Sequence, residues 1–136
     1  MKNPKKILIV DDDPAIRKVL RERLVSQGFQ VVETDQGAST VAIAKEKHPD
    51  LILLDIIMPG RDGIQVYAAL RQEPATKEVP VLFLTALSGG LEPLKDLNPG
   101  GSYWMFGKPY QPEQLMKAIE EALGESEIEI RMRRGG

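Results

Sequence analysis

At 136 residues, with a formal charge of −2 and no cysteine, the chain has the size of one domain with room for a real core, and it lacks the basic excess that a broad nucleic-acid or anionic-membrane surface requires. The lack of cysteine leaves no disulfide framework and no thiolate metal site, which fits a reducing compartment. No stretch is long and apolar enough to span a bilayer, and the start MKNPKKILIVDDD has neither the apolar region nor the cleavage site of a signal peptide, so a cytoplasmic chain without membrane contact is expected.

Ile7 to Val10 is a short apolar run that reads as a first strand. Asp13-Pro14 then supplies an N-cap and a first-turn proline for a helix whose apolar face is Ile16, Val19, Leu20 and Leu24, and Gly28 stops it. Val31-Val32 reads as a second strand, Ala38 to Lys47 as a second helix, and Leu51 to Leu54 as a third strand entered through Pro49. A third helix is expected from about Gly63 to Arg71, a fourth strand over Val79 to Leu84, and a fifth over Tyr103 to Phe106. Pro112 to Leu123 has Leu115, Met116, Ile119 and Leu123 on one face and reads as the last helix. Residues 1–124 are thus expected to form the domain. The tail ESEIEIRMRRGG, residues 125–136, reads as a solvated terminus or the first residues of a linker.

Strands apolar on both faces, each followed by a helix, imply an α/β fold with a doubly wound, five-stranded parallel sheet and right-handed crossovers. Ligands in such sheets bind at the carboxyl ends of the strands. That edge is where the polar residues gather: Asp11, Asp12 and Asp13 follow the first strand, Asp55 ends the third, Thr85 ends the fourth and Lys108 follows the fifth. Alone, Asp55 would be an ordinary turn-starting aspartate. Several carboxylates on one rim repel one another unless a cation lies between them, and a hard divalent cation such as Mg²⁺ takes oxygen ligands, often only one or two of them protein carboxylates. Asp55 is then left as a nucleophile of the kind that forms aspartyl-phosphates, with a hydroxyl and a lysine nearby to hold phosphoryl oxygens.

Taken together, Asp11-Asp12, Asp55 followed by Met58-Pro59 and Gly63, Thr85-Ala86, and Lys108-Pro109 resemble the receiver domain of a bacterial response regulator, over roughly Lys5 to Leu123. The resemblance implies a flavodoxin-like strand order 2-1-3-4-5. It implies that Asp55 accepts a phosphoryl group from a sensor histidine kinase or a phosphotransfer protein, with Mg²⁺ as cofactor. Asp12 would ligate the metal directly, Asp11 would act through a water, and Asp55 and the main-chain carbonyl of Ile57 would be further ligands. Thr85 would hydrogen-bond the phosphoryl group and Lys108 would pair with one of its oxygens. Such a domain is a switch rather than an enzyme, with only its own phosphorylation and dephosphorylation expected, acting on a downstream partner the sequence does not name.

Two other readings compete. Asp11-x-Asp13 has the spacing of small Mg²⁺-dependent phosphatases of the haloacid-dehalogenase type, with Asp11 as nucleophile. A receiver-shaped interaction module that no longer switches is the other. It is suggested by TALSGGLEPLKDLNPGGSYWMFGK, where Gly89, Gly90, Pro93 and Pro99 are poor material for the regular helix receivers carry there, and where Met105 stands at the usual switch aromatic. His48, before Pro49 at a helix end, is expected to be solvated and without a catalytic role.

Overall fold

The computed structural model describes residues 4–55, 63–85, 104–107 and 111–135. The strands are β1 (Lys6–Val10), β2 (Gln30–Thr34), β3 (Leu51–Asp55), β4 (Val81–Thr85) and β5 (Trp104–Gly107). The helices are α1 (Pro14–Ser26), α2 (Thr40–Lys47), α3 (Gly63–Gln72), α4 (Pro112–Leu123) and α5 (Glu127–Arg133), with a short 3₁₀ turn at Gly37–Ser39. All strand pairs are parallel, in the order β2-β1-β3-β4-β5. This is the doubly wound, flavodoxin-like arrangement expected from the sequence.

The apolar runs explain the two-sided core. Successive side chains on a strand point to opposite faces. Ile7, Ile9, Leu51, Leu53, Leu82 and Leu84 pack with Leu20 and Leu24 of α1 and with Leu115, Met116 and Ile119 of α4. Leu8, Val10, Ile52, Leu54, Val81 and Phe83 pack on the other face with Ala44 of α2 and Val66, Tyr67 and Leu70 of α3. A fully buried Leu or Ile side chain contributes roughly 1.5–3 kcal/mol, so the strands hold the layers in register and bring their carboxyl ends to one rim.

Local chemistry sets the element ends. Asp13 caps α1, its Oδ1 accepting from the amide of Ala15 at 2.9 Å, and Pro14 occupies the first turn. Val19, expected on the apolar face of α1, is 51% exposed; Leu20 and Leu24 alone of that face are buried, with Ile16 partly so. Helix α2 starts at Thr40 rather than Ala38, because Ser39 Oγ turns back to the main-chain O of Gln36 and to Thr34 Oγ1. Val79 and Pro80 lie before β4: Nη1 of Arg71 takes the main-chain O of Val79 at 2.7 Å and of Lys77 at 2.8 Å, which holds that segment as a loop. His48 is exposed and closes α2 in the left-handed region at φ 52°.

The tail departs furthest from expectation. Residues 127–133 form α5, started by a capping box in which Ser126 Oγ accepts from the amide of Glu129 at 3.2 Å and Glu129 Oε1 accepts from the amide of Ser126 at 3.3 Å. The helix is docked. Its Arg133 guanidinium lies 4.2 Å from the centroid of the Phe29 ring, pairs with Glu120 and Glu125, and donates to the main-chain O of Gln27 at 2.7 Å. Gly28 permits the approach, since a Cβ there would lie 2.5 Å from the Arg133 main-chain O, and its φ of +93° also suits glycine. Of the expected irregular segment between Thr85 and Lys108, only residues 104–107 are described, and they form β5.

Candidate functional site

Parallel pairing of β1 with β3 sets Val10 beside Leu54, so the next residues, Asp11 and Asp55, reach the sheet edge level with one another. Their parity along the strands is also the same. Asp12 follows as the chain leaves the sheet and turns into α1. The carboxylates of Asp11, Asp12 and Asp55 each place an oxygen within 4.8 Å of the others. Asp11 and Asp55 are buried, at 2% and 6% exposure, while Asp12 opens to solvent.

Two like unit charges at such a separation repel by on the order of 3–4 kcal/mol at an effective dielectric near 20. Three oxygen donors, two held inside and one at the mouth, fit a hard divalent cation that keeps part of its water shell. Asp13 is outside this group, engaged in the α1 cap. Thr85 ends β4, beyond the residue that pairs with Asp55 and level with Gly107 of β5, so its main chain reaches the same rim. Ile57 and Lys108 lie outside the described residues.

Asp11 is anchored on three sides. Its amide donates to the main-chain O of Thr34 at 3.2 Å, its Oδ1 accepts from the amide of Asp13 at 2.9 Å, and its main-chain O accepts from Nη1 of Arg17 at 2.7 Å. Nε of the same Arg17 donates to Glu33 Oε1 on β2 at 3.1 Å, and Arg21 takes the other oxygen of Glu33. Neither Arg17 nor Glu33 stands out in the sequence. The signal available was position: Arg17 is four residues past the Asp13 cap, and Glu33 breaks the apolar pattern of β2 near its rim end.

Glu33 also carries a pH prediction. Burial works against its charge, but hydrogen bonds from Arg21 and Arg17, with the charges of both, outweigh that and hold its carboxyl below the ordinary value of 4.5. A carboxyl lowered by folding adds stability above its unfolded value, and that stability is lost as pH falls through the folded one. The stability gap between wild type and Glu33→Gln should therefore be full near neutrality and close as pH drops below 4.5. Urea titrations across that range check it, and a gap independent of pH would contradict it.

The sequence profile of the response regulator receiver domain matches residues 7–120. Among curated proteins, the "Probable transcriptional regulator ycf27" of Cyanophora paradoxa is 36% identical over 125 residues, 92% of this chain and 51% of that protein. The chain spans about half the length of the curated relatives it matches. Among solved structures, chemotaxis protein CheY4 of Vibrio cholerae superposes with a TM-score of 0.80 at 28% identity, covering 88% of this chain and 98% of that one. The receiver domain of a sensor histidine kinase from Pseudomonas aeruginosa, whose structure holds a magnesium ion in its active-site cleft, superposes with a TM-score of 0.79 at 28% identity, covering 89% and 98%.

Proposed function

Because the chain belongs to the response regulator receiver domain family, we propose that it is a phosphoacceptor switch in which Asp55 takes a phosphoryl group from the phosphohistidine of a sensor kinase or phosphotransfer protein, with Mg²⁺ required. The observation that carries this reading is the meeting of Asp11, Asp12 and Asp55 at one end of the sheet, two of them buried. An oxygen of the Asp55 carboxylate attacks phosphorus as the bond to the donor nitrogen breaks, and the imidazole leaves with that electron pair. Asp12 and Asp55 would hold the cation, Asp11 would act by way of a water, and the main-chain O of Ile57 would be a further ligand. When bound, Mg²⁺ supplies positive charge against the phosphoryl oxygens. Thr85 and Lys108 take the hydrogen-bonding and ion-pairing roles that the family resemblance gives them.

The phosphatase reading through Asp11 needs Asp13 as its partner, and the Asp13 carboxylate is engaged at the start of α1. That weighs for Asp55 as nucleophile. No helix among the described residues is long and apolar enough to cross a membrane. Since the relative cited above is named for transcription, a transcriptional output is the downstream role we propose, reached through a partner or through further chain rather than through this domain, whose charge of −2 gives it no basic excess.

Incubation with acetyl phosphate should load acid-labile phosphate with Mg²⁺ present and none after chelation. Asp12→Ala should weaken Mg²⁺ binding by about 10-fold or more, because removing a charged first ligand leaves water in its place. Unchanged affinity in Asp12→Ala would remove Asp12 from the metal site.

A further inference from the structure

We propose that Arg17 is a positioning residue for the acidic site: it holds the main chain at Asp11 so that the carboxylates of Asp11, Asp12 and Asp55 are preset for a divalent cation. The inference rests on the reading of those carboxylates as an Mg²⁺ site. Arg17 is anchored on both sides, by α1 through the main chain and by Glu33 of β2 through its Nε, and its side chain is 16% exposed. From that fixed frame Nη1 reaches the main-chain O of Asp11 at 2.7 Å. This bond acts on the peptide that joins Asp11 to Asp12, so it orients both ligands at once.

Glu33 has a second part in this. An unpaired guanidinium beside three carboxylates would fold onto them and compete with the cation. Glu33 offsets that charge and keeps the fork pointed at a neutral carbonyl. Groups that orient metal ligands without touching the metal commonly cost about 10–100-fold in affinity when removed.

The sign of the effect separates positioning from simple charge. Deleting a cation near a metal site should, by Coulomb's law alone, tighten Mg²⁺ binding. Loss of positioning should weaken it. A role limited to stapling α1 onto β2 would lower the unfolding midpoint and leave affinity alone.

The test is titration of the whole chain with Mg²⁺, followed by amide NMR shifts, for wild type, Arg17→Ala, Arg17→Lys and Arg21→Ala, with an unfolding curve for each. Arg17→Lys keeps the charge and most of the stem, so it guards against a loss of fold in the alanine variant, yet its single nitrogen cannot reproduce the rigid fork by which Nε and Nη1 hold Glu33 and the Asp11 carbonyl at separate positions. We expect both Arg17 variants to bind Mg²⁺ at least about 10-fold more weakly. Arg21→Ala, which loses a Glu33 partner but touches nothing at Asp11, should stay within about twofold, since an exposed pair of this kind contributes little. Affinity unchanged or tightened in both Arg17 variants, or weakened equally in Arg21→Ala, overturns the inference alone. A wild type whose amides do not shift with Mg²⁺ overturns the metal-site reading, and the inference with it.

Discussion

Replacing Asp55 with asparagine is expected to abolish acid-labile phosphorylation by acetyl phosphate while leaving the fold in place. The amide is nearly the same size and can keep hydrogen bonds at the end of β3, but it has no anionic oxygen to attack phosphorus. Asp55 is 6% exposed and adjoins two other carboxylates, so removing its charge also relieves repulsion there. Asp55→Asn should therefore be at least as stable as wild type while incorporating no phosphate. Denaturant curves and phosphate incorporation on the same preparation check both halves. Residual acid-labile phosphate at the wild-type level would place the nucleophile elsewhere.

The largest stability effect is expected at Arg133→Ala. Its side chain is 7% exposed and the side chains of its partners Glu120 and Glu125 are 9% and 3% exposed, so the substitution strands buried carboxylate charge and also removes the contact with Phe29. Removing one member of a buried pair commonly costs about 3–5 kcal/mol. Two features reduce that here. Arg134 still reaches Glu120, at 2.6 Å, and α5 can peel away to let Glu125 hydrate. The expected loss is about 2–4 kcal/mol, with earlier proteolysis of the tail. Arg134→Ala should lose no more than about 1 kcal/mol, because its side chain is half exposed. Urea unfolding of the two variants separates them, and a loss in Arg133→Ala no larger than in Arg134→Ala would mean that α5 is not docked in solution.

The parts of the fold that could be read from the sequence are those whose cause is local or periodic. Ile7 to Val10 and Leu51 to Leu54 are apolar throughout because each is covered on both faces, and that pattern leads to the parallel sheet and hence to the rim where Asp11, Asp12 and Asp55 meet. Asp13-Pro14 and Pro112 mark helix starts by their own backbone chemistry. The misplaced boundaries have tertiary causes. Val79 fits a strand by composition, but its amide donates to the main-chain O of Thr76 and its own O accepts from Arg71, eight residues earlier, which together hold it in a loop. The tail reads as a terminus or linker because the place where α5 docks depends on Gln27 and Phe29, about a hundred residues earlier in the chain. Arg17 and Glu33 escaped notice for the same reason, since an ion pair between a helix and a strand leaves no periodic trace.

The same distinction holds for the site. Its acidic half lies on strand ends that the hydrophobic pattern fixes, whereas Ile57 and Lys108 fall outside the described residues and Thr85 is placed by its main chain alone.

The most direct test of the phosphoacceptor reading is the position of the phosphoryl group. The protein is loaded with acetyl phosphate and Mg²⁺, the acyl phosphate is reduced with borohydride, which converts a phosphorylated aspartate to homoserine, and the modified residue is located by peptide mass spectrometry. Homoserine at position 55 is the predicted result. Homoserine at position 11, or unmodified aspartate at both, would contradict it.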